Sequence, residues 1–255
     1  MNSVSVLIPC YNAHKYIEEA IASILLQKEH VGEILIYDDA SHVETTDVLK
    51  QIERSEPLVK VHYATKNSGA GIARAFLISN AKYPFCAFLD ADDVWLPNKL
   101  EIQLKAFSMP DVLVCFSSYF ICDSDLKPNF LKTATPRVKR RALLFANRIP
   151  TSAALFRTDS AQSVAFPELR RRQDYAFWLK LFHKYPSAVA VGLQEPLMKY
   201  RKHAGSLSSS RWQNLRYNYQ VFRSELGFNP ITSMFFVGAN IFNRFLNNKV
   251  TKLDR

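Results

Sequence analysis

Val4–Ile8 is a short apolar run that stops at Pro9, the pattern of a buried strand. Ile17, Ala20, Ile21, Ile24 and Leu25 then recur at helical spacing and predict an amphipathic helix over 15–28. The alternation continues through a strand at Ile34–Tyr37, a helix at Thr45–Arg54, a strand at Val59–Tyr63, a helix at Gly71–Asn80 and a strand at Phe85–Leu89. Strands alternating with helices over short connections predict an α/β fold, a mostly parallel central sheet with helices on both faces. The second half is less regular. It predicts helices at Leu100–Phe107, Lys139–Asn147 and Tyr175–Phe182, and strands at Val112–Phe116, Ser152–Phe156, Ala188–Val191 and Pro196–Tyr200. Apart from that helix at 139–147, residues 117–150 match no interpretable pattern. A boundary is expected after the Ser-rich stretch Gly205–Ser210, giving a main domain over 1–210 and a helical extension over 211–255.

In open sheets of this kind ligands bind beyond the carboxyl ends of the strands. That rule gathers three polar clusters at one edge: Pro9-Cys10-Tyr11-Asn12, Asp38-Asp39-Ala40-Ser41, and Asp90, Asp92 and Asp93. Three carboxylates in four positions repel one another, so either a cation offsets them or they form a solvated turn that caps the next helix. Asp39 suits hydrogen bonds from a nucleobase imide or a ribose hydroxyl, or a capping role ahead of residue 45. In the run NSGAGIAR, residues 67–74, two glycines permit a tight turn and Arg74 can hold a carboxylate or a phosphate. GAGIAR is not a dinucleotide fingerprint: it does not follow the first strand, and Arg74 stands where the last glycine belongs. No Walker lysine motif occurs.

Composition narrows the partners. With 255 residues, 48% of them apolar and only seven glycines, the chain can bury a sizeable core. A net charge of +10 favours anionic partners such as phosphorylated ligands or an anionic membrane surface. Nucleic acid is not expected, because no helix-turn-helix, zinc or RNP-type signature is present and acids crowd the site. The four cysteines form no CxxC pair, the N-terminus lacks a basic and apolar leader, and no apolar run reaches spanning length. A cytoplasmic protein, peripheral at most on the membrane's inner face, is therefore expected.

The order PCYN, DDAS, NSGAGIAR, FLDADDVWLPNKLEIQ closely resembles the catalytic domain of family 2 glycosyltransferases over about residues 3–205. The resemblance implies a GT-A fold, a nucleotide-diphospho-sugar donor with UDP-sugars favoured, and Mn²⁺ or Mg²⁺ at the Asp-x-Asp site. It implies inverting transfer to a hydroxyl of a glycan or lipid-linked glycan, as in bacterial lipopolysaccharide, O-antigen or capsule synthesis. Residue by residue, Pro9, Tyr11, Asp39, Arg74, Asp90 and Ala91 would meet the donor and Asp92 the metal, with Asp93 a further contact. RRRQDYAFWLKL, residues 170–181, resembles the family's Glu-Asp element, which makes Asp174 the general base and puts Gln173 where an acid is usual. YRKHAGSLS, residues 200–208, resembles its Arg-x-His segment, which makes His203 a metal or diphosphate contact.

Two readings compete. A sugar nucleotidyltransferase would share the sheet but should carry a basic, glycine-rich N-terminal loop, which PCYNAHKY is not. A non-catalytic nucleotide-sugar-binding scaffold gains some room from Gln173. At the C-terminus, Ile231, Met234, Phe235, Gly238, Ile241, Phe242 and Phe245 share one helical face. Seven basic residues against two acids over 211–255 fit either membrane attachment or a helix packed on the domain.

Overall fold

The computed structural model describes residues 3–202, 211–246 and 250–253. The elements run β1 (Val4–Cys10), α1 (Ile17–Leu25), β2 (Val31–Asp38), α2 (Val43–Ser55), β3 (Val59–Tyr63), α3 (Ala70–Asn80) and β4 (Phe85–Phe88). They continue with β5 (Val94–Trp95), α4 (Lys99–Lys105), β6 (Val112–Cys122), β7 (Pro128–Lys132), β8 (Arg137–Lys139), α5 (Arg140–Phe145), β9 (Leu155–Arg157) and α6 (Thr158–Gln162). The chain closes with α7 (Gln173–Lys184), β10 (Val189–Arg201), α8 (Arg211–Gln220), α9 (Pro230–Leu246) and β11 (Val250–Lys252).

The first half folds as its pattern predicts. β3, β2, β1 and β4 lie side by side and parallel, so all four carboxyl ends share one edge. The chain builds outward from β1 to β3 and then returns to the other side of β1 for β4. In open α/β sheets such a reversal marks the crevice where ligands bind, here the ends of β1 and β4. Pro9 sits at this point without loss. Leu7 O accepts from Leu89 N and Cys10 O from Asp39 N, so strand alternation turns residue 9 toward β4, beyond its last paired residue.

Beyond β4 the sheet is mixed rather than mostly parallel. β9 pairs antiparallel with both β4 and β6, while β10 runs parallel to β6. Several expected elements change accordingly. The strand expected at Ser152–Phe156 is a single 3-10 turn, Thr151–Ala153, followed by β9. The two strands expected at 188–191 and 196–200 are one long β10, whose register shifts around Pro196 because proline offers no amide to the ladder. Residues 117–150 hold the end of β6, then β7 and β8, which no pattern predicts, and α5, which stands where the helix at 139–147 is expected. The C-terminus is not helical throughout, since β11 adds antiparallel to β7.

Side-chain alternation along the strands builds two cores. Val4, Val6, Ile8, Ile34, Ile36, Phe85, Ala87 and Leu89 face one layer with Ile17, Ala20, Ile21 and Ile24 of α1 and Leu49 and Ile52 of α2. Leu7, Leu35, Tyr37, Cys86 and Phe88 face the other layer with α3 and α7. The segment after 210 enters this second core. Val221 and Phe222 are buried in a π-helical turn (Val221–Glu225), the Phe222 ring lies 6.1 Å from that of Tyr175, and the Tyr175 hydroxyl meets Asn240 of α9 at 3.2 Å.

Lys99 opens α4 fully buried, its Nζ 4.1 Å from the centroid of the Trp95 ring and donating to Gln103 Oε1 at 2.7 Å. Burial pushes its ammonium from the ordinary 10.5 down to about 7. Between these values the unfolded chain binds a proton that the folded chain does not, so this group makes stability rise with pH from about 7 to 10.5. Lys99→Met should flatten that dependence in urea melts taken across this window. An unchanged slope would mean that Lys99 keeps its proton in the fold.

Candidate functional site

The loops after β1 and β2 are tied to each other. Asn12 and Ala40 both adopt left-handed backbone, with φ of 51° and 58°, which turns the chain sharply at each strand end. Asn12 N donates to Ser41 Oγ and His42 N to Asn12 Oδ1, each at 2.9 Å. Tyr11 is left 52% exposed at the lip. Asp39 is buried, and its two oxygens accept from Ser68 N and Gly69 N, each at 2.7 Å. Gly69 has a φ of 89° and nothing within 4 Å of where a Cβ would be, so glycine is required there by backbone conformation alone. Asp39 thus anchors the loop that leads into α3, and each of its oxygens retains a lone pair.

The acid loop is braced from three directions. Arg74 of α3 is buried, lies 5.7 Å over the Phe88 ring and pairs through Nη2 with Asp90 Oδ1. Of the two roles open to it in the sequence, holding a carboxylate is the one the structure displays. Arg74 Nε is buried without a partner among the described residues. From the other side, Ser152 Oγ accepts Asp90 N at 3.1 Å. From β10, Arg201 donates through its backbone N to Asp93 Oδ1 at 3.0 Å and through Nε to the Asp92 carbonyl at 2.8 Å. Its guanidinium also pairs with Glu19 Oε2 at 2.5 Å and reaches Ser124 O. Asp93 is fully buried; burial first, then the charges of Asp90 and Asp92, push its carboxyl well above the usual range. Ala91 is buried between the acids and Asp92 is half-buried.

Among the described residues no group of three or more His, Cys, Asp or Glu side chains could hold a metal by itself. The donor chemistry still fits one arrangement. Mg²⁺ and Mn²⁺ take hard oxygens and commonly use one or two carboxylates, with substrate phosphates completing the shell. Asp92, half-buried in the acid loop, is the carboxylate that the sequence assigns to that part. His203 lies outside the described residues. Cys10, at the end of β1, is buried, and burial together with Asp38 pushes its thiol up to about 12, so it stays neutral.

Asp174 lies in the first turn of α7, after Arg172, whose φ of 62° forces the chain into the helix. Its Oδ2 accepts from Asn147 Nδ2 at 3.0 Å and from Thr151 Oγ1 at 3.2 Å. Gln173 is buried and its Oε1 has no partner among the described residues. Its Cβ would lie 3.7 Å from a Cβ added at Gly71, so Gln173 packs against the first turn of α3.

The family model for glycosyl transferase family 2 matches residues 5–166. A Bacillus subtilis (strain 168) protein named as the teichuronic acid biosynthesis glycosyltransferase TuaG is 33% identical over 222 residues, 86% of this chain and 87% of that one. The chain belongs to glycosyl transferase family 2. The Escherichia coli enzyme WfaP, named as a UDP-Glc:alpha-D-GlcNAc-diphosphoundecaprenol beta-1,3-glucosyltransferase, is 30% identical over 225 residues, 88% of this chain and 87% of that one. Among solved structures, Staphylococcus aureus TarS 1-349 in complex with UDP-GlcNAc superposes with a TM-score of 0.72 at 20% identity, covering 97% of this chain and 74% of that one. That likeness establishes the GT-A fold.

As a family 2 glycosyltransferase, the chain moves a sugar from a nucleotide sugar, and the residues that sequence reasoning missed are those that hold its acids. Asn147, Thr151, Ser152 and Arg201 are ordinary polar residues in sequence, and their partners lie 27, 23, 62 and 108 residues away. No local signal marks the first three; Arg201 belongs to the Arg-x-His segment at 200–208, and only its partners are hidden. The clamp on Asp39 gives a direct check. Asp39→Asn keeps the shape but presents a donor to one of the two amides it now accepts. It should cost about 2 kcal/mol in urea melts and weaken binding of UDP in calorimetry. Unchanged stability would show that the loop at 67–69 is held by other means.

Proposed function

We propose that this chain is an inverting, metal-dependent transferase that moves a sugar from a UDP-sugar to a hydroxyl of a lipid-linked glycan at the cytoplasmic membrane face, in polysaccharide assembly. The observation that carries the reading is the placement of two kinds of carboxylate at one sheet edge: Asp90 and Asp92 at the end of β4, and Asp174 tied to the same turn that holds Asp90. WfaP's name specifies a UDP-sugar and an undecaprenol-linked acceptor, and its identity to this chain supports the same classes here.

In this reading Tyr11 and Asp39, with Pro9 beneath them, frame the nucleobase, and Asp90 and Ala91 face the ribose and diphosphate. Arg74 fixes Asp90. Asp92, with His203, would hold Mn²⁺ or Mg²⁺, whose charge would offset that of the departing diphosphate. Asp93 braces the loop from beneath. Asp174 takes the proton from the acceptor hydroxyl as that oxygen bonds to the anomeric carbon. The anomeric bond to the diphosphate breaks on the opposite face, and its electron pair leaves with the nucleoside diphosphate. An α-linked donor therefore gives a β-linked product.

The exposed face of α9 supports the membrane part. The helix packs through Ser233, Phe236 and Asn240, where Asn240 Nδ2 donates to Leu144 O at 3.0 Å and the Phe236 ring lies 5.6 Å from Phe145. Ile231, Met234, Phe235, Ile241 and Phe242 are left exposed, Ile231 by 82% and Met234 by 68%. The basic surplus over 211–255 suits an anionic lipid surface. No helix among the described residues is long and apolar enough to cross a membrane, so the contact would be peripheral.

Asp92→Ala and Asp174→Asn should each abolish transfer while the melting temperature stays near that of the parent; full activity in either removes its assigned role. In co-sedimentation, anionic liposomes should retain the full chain and lose it on Phe235→Ser with Phe242→Ser. Binding that ignores both lipid charge and these substitutions would remove the membrane contact.

A further inference from the structure

Within the transferase reading, we propose that the single turn Thr151–Ala153 is the positioning element that sets the base and the donor acids in register. Consecutive residues of this turn serve the two halves of the reaction. Thr151 Oγ1 donates to Asp174 Oδ2 at 3.2 Å, and Ser152 Oγ accepts Asp90 N at 3.1 Å. The base comes from α7 and the acid loop from β4, and this turn ties both to adjacent positions of one backbone.

The turn itself is held rigidly. Ser152 and Ala153 are buried. Ser152 O accepts Trp95 Nε1 at 2.9 Å, and Ala153 O accepts Gln103 Nε2 at 2.8 Å. Gln103 is oriented in turn by Lys99 Nζ at 2.7 Å and donates to Cys115 O at 3.2 Å. Downstream the chain enters β9, clamped between β4 and β6. Trp95, Lys99 and Gln103 thus form a buried plate behind the turn, and Thr151 and Ser152 are its working face.

The hydrogen bonds on Asp174 are one-sided. Asn147 Nδ2 joins Thr151 on Oδ2, and Oδ1 receives no hydrogen bond from the described residues. Asn147 is itself oriented, its Oδ1 accepting Ile149 N at 3.4 Å. A carboxylate with two donors on one oxygen is held in a fixed rotation and presents the other oxygen to its substrate. Oδ1 is therefore the oxygen that receives the acceptor's proton, and Thr151 and Asn147 decide where it stands. Neither touches substrate in this account; both act through Asp174.

The two residues of the turn should separate in kinetics. Thr151→Val keeps the shape and removes the hydroxyl, so kcat should fall about tenfold or more with donor KM nearly unchanged. Loss of a donor to the carboxylate should also move the acid limb of the pH–rate profile upward. Thr151→Ser restores the hydroxyl and should recover most of kcat. Ser152→Ala loosens the acid loop instead and should weaken UDP binding in calorimetry. A Thr151→Val enzyme with parental kcat, or a Thr151→Ser enzyme as impaired as Thr151→Val, overturns the proposal. The contact can also be tested without turnover, in a thermal-melt cycle of Thr151→Val against Asp174→Ala, which removes both carboxylate oxygens. Losses that are less than additive support it and additive losses overturn it. Turnover by the parent enzyme bears on the transferase reading alone, so the two can fail separately.

Discussion

Three carboxylates within four residues at the end of β4 are the constraint around which this molecule is arranged. Left to themselves Asp90, Asp92 and Asp93 would repel one another and splay into solvent. The fold prevents this with partners drawn from distant parts of the chain. Arg74 comes up from α3 to Asp90, Ser152 reaches Asp90 from the turn before β9, and Arg201 arrives along β10 to hold Asp93 and the Asp92 backbone. Asp93, fully buried beside two like charges, accommodates the remaining strain by favouring its neutral form. What is left is a shaped acidic rim backed by two buried guanidinium groups, those of Arg74 and Arg201.

The parallel half of the sheet could be read from sequence because its signals are local. Apolar runs of strand length end at Pro9, Asp38 and Asp90, and helical spacing separates them. The strand-edge rule then puts Tyr11, Asp39 and the acid loop at one edge, at the ends of the parallel strands β1, β2 and β4. The antiparallel half could not be read in that way. β7, β8 and β11 are short, and their sequences carry too few alternating positions to stand out from loops. β10 looked like two strands because Pro196 interrupts an element that is held by partners on both sides. The supports of the site were hidden for a different reason. Thr151, Ser152 and Asn147 work through contacts made across the fold, and nothing in a threonine or serine announces such a partner.

The C-terminal segment packs on the domain and still keeps an apolar face outside. The apolar face seen in the sequence is not the one that packs. α9 docks through Ser233, Phe236 and Asn240, using small and polar groups alongside one aromatic ring, and leaves its most hydrophobic stripe in solvent. Its inner face reaches Tyr175, the residue that follows the proposed base in α7. Whatever engages the outer face of α9 is therefore connected through one packed helix to the neighbourhood of Asp174.

The account rests on the crevice between β1 and β4 receiving a nucleotide sugar. The direct test is a panel of UDP-, GDP- and dTDP-sugars offered to the purified protein, with nucleoside diphosphate release and calorimetric binding followed in Mn²⁺, in Mg²⁺ and in EDTA. The account predicts that a UDP-sugar binds or is turned over, and that EDTA suppresses it. Absence of binding by every donor, with or without metal, would contradict it.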